Sequence, residues 1–460
     1  MKLVLRGRPR QNRSLFYLKI MQAGVATVLL LAPIYTALAI WLTSAVHHAD
    51  LINIWKEILV AAIFLSLLAS GEYIVVRFLA NRLTILIGIY CLLLIGIGIY
   101  DLATHRVSKN AVIYSWVVDL RPFGIFALAL LTSLIALHKR YRPLPWAKLV
   151  VWPAVAVIIF GLLQFTVLPK DILSHIGYSS QTLLAYQTVD NQPSLARVQS
   201  TLRGPNPLGA YLVLIIPLFT VMAARRRGRA RLFWVGSILL GLIVMFATYS
   251  RSADVGLVLA MLSLAVIYGW RYVNRLVVIL SLAGLLVLGT GLVASRHSYF
   301  VQNLIFHTSK ASTSPQSADA ERNAAIERAV KDVYHHPFGG GIGSAGPASL
   351  RNNKGEVKLA ENYYLQIGQE AGVIGMALFI AIICLMALEL WRLRENKLAS
   401  VLLASLVGIS FINLLLHAWA DDTLAYVWWG LAGIVLAPVI LKRGHLKNKN
   451  GRLKEATASP

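Results

Sequence analysis

Four short segments of this 460-residue chain hold the residues that could do chemistry. Arg203 stands ahead of Gly204-Pro205-Asn206-Pro207-Leu208-Gly209, and Arg251 lies in the turn Tyr249-Ser250-Arg251-Ser252-Ala253-Asp254. A planar guanidinium grips two oxygens of one phosphate, so arginines at these places suit a phosphorylated ligand. Glu361-Asn362 opens a third segment, which runs on through Glu370 to Gly372 and Gly375. Glu361 could take a proton from a hydroxyl. The fourth segment, His335-His336-Pro337 followed by Gly339 to Gly343, offers His336 as a second candidate base. Asn206 and Asn362 are counted with the arginines as substrate-binding residues.

Each segment also has a plainer reading. Arg203 could be an arginine snorkelling at a helix start. Arg251 and Asp254 could be an ion pair closing a turn. Tyr363 and Tyr364 look like an interfacial aromatic belt, with Glu361 anchoring beside them. Glu361 and Glu370 are nine residues apart, about 13 Å along a helix, so they do not share one proton. Glu370 lies deeper and should be paired or protonated. Gly341-Ile342-Gly343-Ser344-Ala345-Gly346 formally fits G-x-G-x-x-G, but no strand precedes it and no βαβ unit surrounds it, which excludes a dinucleotide site. The adjacent histidines lack the i, i+4 spacing of a helical metal pair, and no metal site is expected. Asp421 and Asp422 are expected to cap the last helix.

The elements that position these residues are membrane spans. Of the residues 57% are hydrophobic, 14% are charged and the mean hydropathy is +0.65. Soluble domains are about 45–50% apolar and about 25% charged, which excludes a water-soluble enzyme. The expected fold is an all-α polytopic membrane protein with about 12 transmembrane helices, each long enough for ~30 Å of hydrocarbon. The spans fall near 20–42, 57–76, 83–100, 122–138, 149–168, 207–223, 232–249, 253–270, 276–294, 364–390, 399–417 and 423–441. The chain then divides into a basic N-terminus (1–19), helices 1–9 (20–294), a large outer loop (295–363), helices 10–12 (364–441) and a basic tail (442–460). That loop opens with the polar run Ser309 to Ser317. It continues into an amphipathic helix whose apolar face is Ile326, Ala329, Val330 and Val333, ending at Pro337.

Lys and Arg outnumber Asp and Glu by 44 to 20, a net charge of +24. In a soluble protein that excess would suggest nucleic acid. With both termini in the cytoplasm, 28 of the 44 basic residues lie on the inner side, and the short outer turns are almost free of them. The excess is therefore an orientation signal, and no nucleic-acid partner is expected. The run Arg225 to Arg231 belongs to that signal. The first span, longer than a typical signal peptide and followed by many others, is read as a retained helix. Cys91 and Cys384 lie within apolar runs and form no disulfide framework.

Taken together, the motifs resemble the O-antigen ligase / O-antigen polymerase family. The family's ligase signature is His, then Asn, Ser or Gln, nine residues, Gly, two residues, then Gly, Thr or Tyr. This chain has Glu361-Asn362, nine residues, Gly372, Val373-Ile374 and Gly375, so only the first position departs, with Glu in place of His. The Asn-Pro-x-Gly segment at 206–209, the Ser-Arg turn at 250–251 and the His-Pro and glycine-rich stretch at 336–343 are also similar to the family. The resemblance covers roughly residues 200–440.

The resemblance implies a glycosyltransferase at the outer face of the cytoplasmic membrane. Its donor would be a glycan on undecaprenyl diphosphate. Its acceptor would be a hydroxyl of a carbohydrate or a lipid-linked glycan. It would need no nucleotide sugar, metal or other cofactor. Arg203 and Arg251 match the arginines expected near the diphosphate. The base would be Glu361 or, with the signature His replaced, His336. The competing class is a lipid-glycan flippase or another membrane transporter. That class predicts internal repeats and discontinuous spans, which the sequence does not display. A non-catalytic scaffold would leave the outer Arg and Glu residues without a purpose.

Overall fold

The computed structural model describes residues 8–46, 49–70, 81–189, 195–269 and 318–457. Among these, the elements are almost all helical. They are α1 (Arg8–Val46), α2 (Ala49–Ser70), α3 (Arg82–Ala103), α4 (Lys109–His138), α5 (Trp146–Thr166), α6 (Pro205–Ala224), α7 (Gly228–Ala247), α8 (Arg251–Gly269), α9 (Ala318–His335), α10 (Tyr363–Arg392), α11 (Lys397–Ile412) and α12 (Asp422–Thr457). A two-stranded antiparallel ribbon pairs β1 (Gln187–Thr188) with β2 (Ala196–Arg197). Nine helices among the described residues are long and apolar enough to cross a membrane, and 58–70 and 397–412 are shorter apolar helices. The expected ninth span, 276–294, and the polar run 309–317 lie outside the described residues.

α1 and α2 begin before their expected spans, at Arg8 and Ala49, and α12 runs past its expected end to Thr457; two other boundaries change for local reasons. The helix expected over 122–138 begins at Lys109, thirteen residues earlier. The added turns carry Asp119 and Arg121, whose charges are met inside the protein by Tyr363 and Asp422 respectively, so helix continues where an unpartnered charge would have forced a loop. The helix expected over 399–417 stops at Ile412. There the Asn413 side chain donates to the Ile409 carbonyl (2.8 Å) and accepts from the Trp419 amide (3.2 Å), which turns the chain through 414–420.

The core is built on α4 and α12, which run along one another. Trp428 and Trp429 of α12 are fully buried; their rings pack at 5.1 Å, and Trp429 meets Phe123 of α4 at 5.1 Å. In lipid, helices associate through packing and small residues rather than through a hydrophobic drive. The crossing of α8 and α11 shows this, because a Cβ at Gly408 would come within 2.2 Å of the Gly256 carbonyl oxygen.

The amphipathic segment forms α9 and packs on the start of α10. Ala329 and Val333 are buried there, and Val333 lies against Gly368. Val330, expected on the same face, is half exposed at 50%. Glu327 and Lys331 pair on the open side at 2.7 Å.

Helix α10 is broken once, at Gly372 (φ 71°), where a side chain would strike the Pro337 carbonyl at 2.3 Å. The glycine-rich segment fills the break. Val373 N donates to Pro337 O, Gly340 N to Gln369 O and Gly341 N to Glu370 O, at 2.9, 2.6 and 3.1 Å. The backbone groups freed by the kink are thus paired within the protein, as a membrane setting requires. These glycines serve helix contact.

Candidate active site at one end of the bundle

The N-termini of α6, α8, α10 and α12 and the loops before them meet at one end of the bundle. Their backbone connections fix the arrangement. Val198 N donates to Ala247 O at 2.9 Å, and Tyr363 N donates to Asn413 O at 2.9 Å. Three non-glycine residues here, Ser200, Tyr249 and Glu361, adopt left-handed backbone with φ of 52°, 49° and 48°. Such conformations cost on the order of 1 kcal/mol and persist when the surroundings impose them. At Glu361 the imposing contacts come from the next residue. Asn362 caps α10 by accepting from Leu365 N (3.0 Å), and its amide donates to Leu414 O (3.0 Å). Asn362 therefore spends its polar atoms on holding Glu361 at this end of the bundle.

Guanidinium groups gather here. Arg197 donates from Nε to Thr248 O (2.8 Å) and from Nη2 to Asn206 Oδ1 (2.6 Å). Asn206 thus orients an arginine. Burial, together with the charges of Arg251 and Arg322, pushes Arg197 down to about 10. The charges of three arginines, on β2, a helix start and α9, therefore act on one another. Arg322 Nε donates to Glu361 Oε2 at 2.5 Å, the pair being partly open to solvent. On a neighbouring flank Arg203 is exposed and donates to the Tyr114 hydroxyl, which also receives Arg351. The Arg351 guanidinium lies 3.8 Å from the centre of the Tyr114 ring.

Asp421 caps α12 as expected, accepting from Leu424 N at 3.1 Å. Burial raises its carboxyl above the usual range, against the charges of Arg203 and Arg121. Asp422, expected as a second cap, instead pairs with Arg121. His417 belongs to the same end. Burial pushes its imidazole down to about 4, with the Glu361 charge acting the other way, and among the described residues its enclosed Nε2 has no hydrogen-bond partner.

His336 is placed differently. It follows the C-terminal end of α9, is largely exposed, and binds Asp332 at 3.1 Å. Asp332 also accepts from Lys358 (2.9 Å) and Gln369 (2.9 Å). Burial acts against these contacts, but together they hold its carboxyl below the usual range. Arg322 and His336 are fourteen residues apart along α9, about 21 Å at 1.5 Å per residue. The structure therefore brings Arg251, Asn206 and Glu361 together with Arg197 and Arg322, places Arg203 beside them, and sets His336 at the far end of α9.

Residues 236–380 match the O-antigen ligase family. No curated protein matches the chain. The match contains Arg251, Arg322, His336, Glu361 and Asn362, and ends before His417; Arg197, Arg203 and Asn206 precede it. With the apolar helices, it supports a multi-pass membrane protein that contains an O-antigen-ligase-like region.

Within and around this ligase-type region, the motifs alone did not reveal Arg197, Arg322 and His417. Arg322 had a readable signal. It lies four, seven and eleven residues before Ile326, Ala329 and Val333, hence on the apolar stripe that faces the bundle. His417, an ionisable group between Leu414-Leu415-Leu416 and Ala418-Trp419, had a weaker one. Arg197 had none, because its place depends on the β ribbon. Tyr363, read as part of an aromatic belt, is instead buried and donates to Asp119 Oδ1 at 3.1 Å. Among the described residues no three His, Cys, Asp or Glu side chains cluster as a metal-binding group.

Proposed function

We propose that this chain transfers a glycan from undecaprenyl diphosphate to an acceptor hydroxyl at the outer face of the cytoplasmic membrane, with both termini in the cytoplasm. The observation that carries the reading is that Arg322 bonds Glu361 while its charge, like that of Arg251, acts on Arg197, at the end of the bundle where Arg203 is exposed. A glycosyl diphosphate is already activated. An enzyme acting on it must hold the charge that develops on the leaving phosphate and remove a proton from the incoming alcohol.

In this reading Arg203 and Arg251, with Arg197 oriented by Asn206, bind the diphosphate. Glu361 takes the acceptor's proton. The acceptor oxygen bonds to the anomeric carbon as the carbon–oxygen bond to phosphate breaks, and undecaprenyl diphosphate leaves with the electron pair. The fixed guanidinium charges serve the role that a metal would otherwise fill. Glu361 is preferred to His336 as base because it bonds Arg322, whereas His336 is about 21 Å away along α9.

The test uses the purified full chain and lipid-linked glycan extracted from its native membrane. Glu361→Gln is expected to lower transfer by ~10²–10⁴-fold. Undiminished transfer would remove Glu361 from the role. Movement of the lipid-linked glycan across a vesicle bilayer with its glycosyl bond intact would favour the flippase reading.

A further inference from the structure

We propose that Arg322 is a donor-binding residue shared between two anions: it pairs with Glu361 and transfers to the lipid diphosphate when donor arrives, so that donor binding unmasks the base. The proposal rests on the reading of this end of the bundle as a diphosphate site.

Three observations lead to it. First, Arg322 bonds Glu361 at 2.5 Å, and the two side chains are 30% and 42% exposed. A pair this open to water holds by at most about 1 kcal/mol, so it can be exchanged. Second, Arg322 already faces the other arginines, since its charge is felt at Arg197 together with that of Arg251. A diphosphate placed among these three groups offers more charge and more acceptor oxygens than one carboxylate. Third, the two partners differ in freedom. Glu361 has a left-handed backbone (φ 48°) fixed by the Asn362 cap and by the bond from Tyr363 N to Asn413 O. Arg322 reaches from α9 on a long side chain and is the partner able to swing. While Arg322 grips Oε2, that oxygen is occupied; once the guanidinium moves, the carboxylate is open to a hydroxyl proton.

The exchange makes Glu361 a competitor of the donor, which a binding measurement detects without any transfer. The probe is undecaprenyl diphosphate, titrated into the full chain in nanodiscs. Glu361→Gln is expected to tighten binding by up to about fivefold, the amount an open ion pair withholds. In an Arg322→Gln background the same change is expected to have less than about a twofold effect, and in Arg322→Lys, which keeps the charge, part of the tightening should return.

Equal tightening with and without Arg322 would overturn the exchange, because it would mean only that a negative charge had left the site. No change, or weaker binding, in Glu361→Gln would overturn it too. Arg203→Ala and Arg251→Ala separate this from the underlying reading. If they weaken binding while Glu361→Gln has no effect, the exchange alone fails. If they leave binding intact, or wild type binds no undecaprenyl diphosphate, the diphosphate site fails and the exchange with it.

Discussion

Glu361 and Glu370 stand nine residues apart at the start of one helix, yet their surroundings could hardly differ more. Glu361 is half open, sits on left-handed backbone and bonds the Arg322 guanidinium. Glu370 is 2% exposed and, among the described residues, has no cation bonded to it; Ser115 Oγ lies 3.1 Å from one oxygen and Gly343 N donates to the other at 3.2 Å. Ser115 also contacts Asp119, and Asp101 accepts from Ile342 N at 2.7 Å. The inner acids thus tie the glycine-rich segment to α3 and α4, while the outer one is left available for chemistry. Identical side chains on one stretch of chain divide into architecture and reactivity according to what meets the carboxylate.

This contrast can be broken by exchanging its outcomes. The largest expected effect is on transfer: Glu361→Gln should cost ~10²–10⁴ in rate while the melting temperature of the detergent-solubilised protein stays near wild type. Glu370→Ala should do the reverse first. Leaving the Gly343 amide without its acceptor, and a void in a dry interior, is expected to cost about 2–4 kcal/mol, read as a large fall in melting temperature and in yield of folded protein. If Glu370→Ala melts like wild type, the architectural role is wrong.

Next in size is Gly372→Ala. It places a methyl against Pro337 O on backbone of φ 71°, and about 1–3 kcal/mol of destabilisation should appear in the same melting assay. Asn206→Ala is smaller and falls on the reactive side. Loss of the bond that aims Arg197 should weaken undecaprenyl diphosphate binding by about tenfold with little change in melting.

A last effect is on pH dependence. Burial holds the His417 imidazole down to about 4, whereas an unfolded chain protonates it near its ordinary value of about 6.5. Between those values the unfolded state binds the extra proton, so stability is lost as pH falls from about 6.5 towards 4. Melting curves at pH 7 and pH 5 should show a drop in wild type that is smaller in His417→Gln.

Much of this organisation was legible in the amino-acid sequence. The apolar runs correspond to helices along most of the described chain, because continuous apolar sequence in lipid has few other ways to pair its backbone. The cap at Asp421 and the amphipathic α9 were readable for equally local reasons. What escaped was non-local. The start of α4 at Lys109 depends on Arg121 meeting Asp422 across the bundle, and the position of Arg197 depends on a two-residue ribbon. Arg203, Arg251 and Glu361 could be named from motifs, but the sequence could not bring Arg322 to Glu361, because that pair is 39 residues apart and made by the packing of α9.

The central claim, that the arginine-rich end of the bundle receives the donor's diphosphate, is tested most directly by a cryo-electron microscopy map of the full chain with undecaprenyl diphosphate bound. The account predicts the two phosphates among Arg203, Arg251 and Arg197, with Arg322 turned from Glu361 towards them. Phosphates seated instead against His336 and the glycine-rich segment, with the Arg322–Glu361 pair intact, would contradict it.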